Sequence, residues 1–560
     1  MKVPFFFPII SIFFFSVFSC KSSKEHPYIA NSLREDVDLF LIPEKFNILE
    51  SDWVETSATA HYSKEDLIRH LKSYGRTLND LKKDPSLQYT ENDDVISLHV
   101  KKTSHSTDYN YDKKIPIIFY GPRWFIPGEY SQVIHQQHIV PTLAKILGIR
   151  NPNGVETHPI LSILANHNVA SKPEIIVTIV IDQGGQQLYK SHPDVPVMIN
   201  SIKKQAAYFP NAEVGHLDAH TAVGHAAIGT GAYPSKNNVI GNTFYNYIDG
   251  KVHGSEIYAK EDESKVDPSE LTSESLSDVL DIENGDKSEV ISQCYALRAS
   301  IGMAGHGAYK QKNVSYIGDK DLVYWIDRKT KKWTTDDRYY TIPSFLTEYD
   351  PINNFLKEYP HGWNGHIFKD REDAIQNWAI VLGSPAEVKS EVQIFIRTIE
   401  EYIIKKNKHN DGLTDLAYLT LKATDSTGHT FGWESLESRE VFGETDKQIG
   451  LIFEMLQKHY GDKFILVITA DHGCAPMPEI SGGKRLSFNL FFKELQSLLP
   501  STETESLAKF ATVGQVALNR DLMKKYNITE QQVQQKILSI QVDGKNFFKE
   551  VILKSEYQSK

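Results

Sequence analysis

Three cysteines in 560 residues leave no room for a disulfide framework. Cys20 closes an apolar leader, so only Cys294 and Cys474 remain to pair, and one bridge is the maximum. Basic residues are also in deficit: 61 Lys and Arg stand against 72 Asp and Glu, a formal charge of −11. Binding to a phosphate backbone runs on clustered Lys and Arg, so no nucleic-acid surface is expected. Any phosphate-bearing substrate would have to be drawn by local positive charge, for which bound metal ions are the obvious source. Internal repeats are absent. The N-terminal apolar run, residues 4–18 after Lys2, is short for a comfortable bilayer span. It reads as a signal peptide over 1–20. The run ends on Ser19-Cys20, a loose lipobox, and cleavage there would leave Cys20 to be lipidated. An uncleaved anchor helix is the alternative, and both readings export the protein. The expected location is therefore lipid-anchored, in the periplasm or at the outer membrane or cell surface.

What is present suits a large core, since 40% of the residues are apolar. A polar tether over 21–35 is followed by a short strand at 37–42, a Lys- and Leu-rich helical stretch at 63–84, a strand at 115–120 and a helix at 141–148 stopped by glycine. The clearest strands are 175–181 and 464–470, continuous β-branched runs that suit a sheet covered on both faces. Each runs directly into an acidic residue, Asp182 and Asp471. Open α/β sheets bind ligands beyond the carboxyl ends of their strands, so these two aspartates are expected to face one crevice. Residues 251–400, rich in Tyr, Trp, Lys and Asp with weak periodicity, read as an inserted cap. Residues 481–560 read as a small subdomain.

Asp425-Ser426-Thr427-Gly428-His429 sets a carboxylate and an imidazole four residues apart, both usual zinc ligands. Taken alone, such a pair is as well explained by a capping Asp and an unrelated surface His. Asp471-His472-Gly473 strengthens the metal reading, because a glycine after a strand end lets both side chains turn toward one cluster. Asp182 brings the candidate ligands to five. Residues 218–231 read as a loop entering a helix with Thr221 near its N-terminus. There a threonine is an ordinary N-cap, or, beside a metal cluster, a metal-bound nucleophile on an anion-binding helix end.

The ordered set Ile181-Asp182-Gln183, Thr221 with Gly224-His225, Gly241-Asn242, Asp425 with His429, and Asp471-His472-Gly473 resembles the alkaline phosphatase superfamily. It is most similar to the bacterial branch with a threonine nucleophile, related to type I phosphodiesterases and nucleotide pyrophosphatases. Further matches are Arg298 ahead of Ala304-Gly305-His306, Tyr324-Trp325 and Pro360-His361. The resemblance implies a three-layer α/β fold with a mostly parallel sheet, an inserted cap and two zinc ions. It implies that Asp182, Asp471 and His472 hold one zinc and that Asp425 and His429 contribute to the other. Thr221 would contact metal and attack phosphorus, Asn242 would donate to a phosphate oxygen, and Arg298 would clamp the phosphoryl group. One departure matters: relatives that cleave monoesters present a Lys-x-Arg pair, and here Ala296 stands in place of that lysine. Monoester hydrolysis through a phosphothreonine is the first expectation, and diester or nucleotide pyrophosphate cleavage the second. A surface-binding lipoprotein without turnover is the third. A sulfatase is excluded by the lack of a C-x-P-x-R segment around either Cys294 or Cys474.

The sixth ligand is missing after His472. In the family it is a histidine seven residues before the Asp of a Tyr-Asp that leads into a Pro-containing strand. That pattern occurs here only near the N-terminus, where His105 precedes Tyr111-Asp112 and the strand at 115–120, with Ser106 in place of the usual glycine. The chain therefore reads as a circular permutant, with 36–170 matching the family's C-terminal part, 171–250 and 401–480 forming the core, and His105 as ligand. His61 is the rival.

Overall fold

The computed structural model describes residues 37–50, 57–165, 171–247, 250–253, 258, 265–310 and 318–558. The expected leader and tether lie outside them. The two β-branched runs are neighbours at the middle of a nine-stranded sheet. In chain order its strands are β1 (Lys114–Tyr120), β2 (Gly128–Glu129), β3 (Ile175–Ile181), β4 (Ala207–Glu213), β5 (Val290–Gln293), β6 (Leu322–Ile326), β7 (Trp333–Thr334), β8 (Asp415–Leu421) and β9 (Phe464–Thr469). Across the sheet they run β7-β6-β5-β8-β3-β9-β1-β4-β2. Strands β6, β5, β8, β3 and β9 are parallel, while β1 is antiparallel to both its neighbours.

Successive side chains of a strand point to opposite faces, and here each face feeds its own core. Ile175, Val177, Ile179 and Ile181 of β3 join one cluster, and Ile176 and Val180 join another. Helices α1 (Ile139–Leu147), α2 (Thr221–Thr230) and α3 (Leu297–Ala304) close the second cluster. Helices α4 (Pro385–Ile399), α5 (Ala423–Phe431) and α6 (Leu436–Tyr460) close the first. The result is the expected three-layer, mostly parallel α/β fold. Its registers matter for the site: Leu421 pairs with Ile181 and Thr469 with Val180. Strands β8, β3 and β9 therefore end level, and the chain leaving each enters one crevice.

Two expected boundaries are corrected. The cap over 251–400 is not one separate insertion, because β5, β6 and β7 come from it and complete one side of the sheet. These strands are four, five and two residues long, too short to show a period in sequence. The subdomain at 481–560 in turn recruits the front of the 36–170 segment. Its sheet orders Ala508–Ala511, Gln515–Leu518, Leu39–Pro43 and Phe548–Leu553, and Leu39, Leu41 and Leu49 pack there with Phe491, Val516 and Phe548. Cys294 and Cys474 are buried free thiols. Among the described residues no helix is long and apolar enough to cross a membrane.

Candidate active site

Asp182 is the first residue after β3, and the chain turns at once because Gln183 takes a left-handed φ of 63°. From that turn Gln183 ties the strand ends together: its N–H donates to Asp471 Oδ1 at 3.0 Å and its Nε2 to Asp425 Oδ1 at 3.1 Å. Asp471 and His472 follow β9 and both face inward, since the chain bends at Gly473, where a Cβ would lie 2.0 Å from Tyr111 O. Asp425 and His429 sit one turn apart on α5, with His429 Nε2 3.2 Å from Asp425 Oδ1. His105 enters from the loop before β1 and stacks on His472 at 3.8 Å between ring centroids. The serine after it adopts φ 89°, the region glycine favours, and sets its Oγ 2.8 Å from His220 Nδ1.

The three histidines share one arrangement. Nδ1 of His105, His429 and His472 lies 2.6, 2.7 and 2.8 Å from the carbonyls of Ala219, Thr103 and Gly473. A carbonyl only accepts, so Nδ1 carries the proton in each ring and Nε2 presents its lone pair inward, the tautomer a metal needs. The carboxylates complement this. Asp182 Oδ1 and Asp471 Oδ2 are buried with no hydrogen-bond partner, 3.6 and 3.2 Å from His472 Nε2. Such an orphaned acceptor costs about 1–3 kcal/mol, which a cation offsets. Asp182, Asp471 and His472 offer ligand atoms within 4.8 Å of one another, and so do His105, Asp425 and His472. Burial raises the Asp182 pKa to about 6 and that of Asp471 well above the carboxylate range, while it holds His105 and His472 neutral. At Asp425 burial also opposes ionisation, but His429 and Lys422 outweigh it and its pKa is held well down. Buried carboxylate oxygens without a partner, as on Asp182 and Asp471, beside inward-facing neutral imidazoles fit metal ions.

Helix α2 starts on Thr221, with His220 as its N-cap, so the threonine is not a capping residue. Its Oγ1 lies 3.4 Å from His472 Nε2 and 3.4 Å from Lys422 Nζ. The helix comes this close because residue 224 is glycine: a Cβ there would meet Asp471 O at 2.7 Å. His225 supports the first turn, with Nδ1 2.7 Å from Thr221 O and Nε2 2.8 Å from Thr420 Oγ1, and burial lowers its pKa to about 3. Asn242 Oδ1 accepts from Ala222 N at 3.0 Å. Arg298, 7% exposed in the first turn of α3, lines the same cavity of about 630 Å³ as Thr221, Asn242, Lys422 and Asp425. Leu49, Phe488, Phe510 and Val513 form its apolar side. His61 lies elsewhere, with Nδ1 2.5 Å from Glu437 Oε1.

Sequence reasoning missed Lys422 and Arg328. Lys422 follows seven buried residues of β8 and is itself buried, with Nζ 2.7 Å from both Asp182 Oδ2 and Asp425 Oδ2. A lysine set between an apolar strand and an acidic motif was the available signal. Arg328, two residues past β6, also lines the cavity.

Residues 176–560 match the family model described as type I phosphodiesterase / nucleotide pyrophosphatase. The chain is 24% identical over 372 residues to alkaline phosphatase PafA of Elizabethkingia meningoseptica, covering 59% of this chain and 65% of that protein. It is 27% identical over 335 residues to alkaline phosphatase PhoK of a Sphingomonas species, covering 55% and 57%. It thus spans less than two thirds of either relative. A crystal structure of PafA superposes with a TM-score of 0.52 at 19% identity, over 66% of this chain and 77% of that one, a likeness of fold.

Proposed function

This chain belongs to the type I phosphodiesterase / nucleotide pyrophosphatase family, and from that we propose that it hydrolyses phosphate monoesters through a phosphothreonine at Thr221. One observation carries the reading: the Thr221 hydroxyl stands at the head of α2, 3.4 Å from both His472 Nε2 and Lys422 Nζ, beside the inward-facing Asp and His groups. Asp182, Asp471 and His472 would hold one zinc, and Asp425, His429 and His105 the other. Bound there, zinc supplies Lewis-acid charge that favours the threonine alkoxide and offsets charge on the attacking and leaving oxygens. Thr221 Oγ forms a bond to phosphorus as the ester oxygen departs with its electron pair. Asn242, its Oδ1 occupied by Ala222 N–H, offers Nδ2 to a nonbridging oxygen. Arg298 binds the dianionic phosphoryl group through two N–H donors. Water then attacks the phosphothreonine, restoring the hydroxyl and releasing inorganic phosphate. The wall of Leu49, Phe488, Phe510 and Val513 suits an apolar or aromatic leaving group.

Ala296 at the N-cap of α3, where monoester-cleaving relatives carry lysine, favours diester cleavage as the second reading. The two are separated by zinc-dependent hydrolysis of an aryl phosphate monoester against its methyl diester. Monoester kcat/KM is expected to exceed the diester value. A strong diester preference reverses the assignment, and no turnover of either after zinc loading leaves a binding protein.

We propose further that the chain order is permuted relative to the family. Three observations support it: the family match begins at 176, His105 reaches the site from upstream of that match, and Leu39–Pro43 pairs with Phe548–Leu553. The two ends of the described chain therefore lie side by side, as a permuted chain requires.

A further inference from the structure

Lys422 is a cation that the chain itself places inside the site. It is 3% exposed, and its Nζ lies 2.7 Å from Asp182 Oδ2 and 2.7 Å from Asp425 Oδ2. The same two carboxylates turn their other oxygens to the histidines. Asp182 Oδ1 is 3.6 Å from His472 Nε2, and Asp425 Oδ1 is 3.2 Å from His429 Nε2 and 3.9 Å from His105 Nε2. Lys422 therefore takes one oxygen of each carboxylate, and the other oxygen of each, on the histidine side, is where a metal ion would be held. An ammonium has three donors. Two are spent on carboxylates at short range, and the third faces Thr221 Oγ1 at a long 3.4 Å. That third donor points at the reacting oxygen and is poorly satisfied, so an incoming phosphoryl oxygen can take it over. Arg298 lines the same cavity as Lys422, so two cationic side chains face it.

We infer that Lys422 is a catalytic residue that binds a nonbridging phosphoryl oxygen and, with Arg298, selects dianionic monoesters over monoanionic diesters. A lone guanidinium on α3, with Ala296 beside it, would leave half of that charge unmatched. Lys422 supplies the other half from the end of β8. The inference rests on the phosphoryl-transfer reading of the site.

The test uses zinc-loaded wild type, Lys422→Met and Lys422→Gln. Zinc per chain is read by elemental analysis, inorganic phosphate binding by calorimetry, and kcat/KM on an aryl phosphate monoester and its methyl diester. In the variants zinc content is expected to hold and phosphate affinity to fall more than about tenfold. Monoester kcat/KM should drop about 10²–10³-fold, with a far smaller loss on the diester. Equal losses on the two esters, or unchanged phosphate affinity, would overturn the inference, as would loss of zinc or failure of both variants to fold, which make Lys422 a structural counter-ion. A wild type that turns over neither ester removes the phosphoryl-transfer reading itself. A monoester-selective wild type with equally selective variants removes only the role of Lys422.

Discussion

His105 is held by Nδ1 on the Ala219 carbonyl and by its ring against His472, contacts that fix both its tautomer and its direction. If it completes three protein ligands with Asp425 and His429, its loss removes one metal and leaves the other site intact. His105→Ala is expected to lower bound zinc from about two ions per chain to about one, with activity down about 10²-fold or more. Two ions retained by elemental analysis would strike His105 from the ligand set and the permuted order with it. Most of the candidate site was legible at this scale because it needs Asp and His at particular places, and Asp182, Asp471 and His472 follow strand ends while Asp425 and His429 lie one turn apart on α5, just past β8. Lys422 was not, since a single lysine has no periodicity and its partner Asp182 lies 240 residues away in sequence. Arg328 was hidden for the same reason, its importance set by a cavity formed only on folding.

Helix α2 is the element on which the proposed chemistry depends, being buried along its whole length and starting at Thr221. Its distance from the Asp471-His472 turn is set by Gly224, packed against the Asp471 backbone. Gly224→Ala brings a Cβ to 2.7 Å from Asp471 O and 2.8 Å from Asp471 Cβ, neither of which is a flexible side-chain tip. Helix or strand end must then shift. We predict a loss of about 1–3 kcal/mol of stability together with weaker zinc binding, read by thermal denaturation and zinc titration. An unchanged Tm and unchanged zinc affinity would show that the approach is not tight. The elements with strong periodicity were legible: the runs at 175–181 and 464–470 became β3 and β9, and the helix expected at 141–148 became α1, stopped by Gly148 at φ 65°. The helical stretch at 63–84 was read as continuous but breaks into Lys64–Ser73 and Leu78–Lys82 around Gly75 at φ 70°.

At the scale of the whole molecule, the candidate site is shared between the α/β core and the small subdomain. The core contributes the charged residues, and Phe488, Phe510 and Val513 supply the apolar wall. The subdomain is anchored where Gln515 Nε2 donates to Ile240 O at 2.9 Å and Tyr247 to Leu518 O at 2.7 Å. Neither this wall nor the recruitment of Leu39–Pro43 could be read from sequence, because both depend on strand pairings across some 500 residues, as in Leu39 with Leu553. The order of motifs was readable, and from it the permuted arrangement was drawn. The central claim is that Thr221 carries the phosphoryl group. The zinc-loaded enzyme should be mixed with an aryl phosphate monoester, quenched in acid during turnover, digested and analysed by mass spectrometry. The account predicts phosphate on the peptide containing Thr221 and none in Thr221→Ala, which should also lose turnover. Turnover with no phosphate on Thr221, or a Thr221→Ala variant as active as wild type, would contradict it.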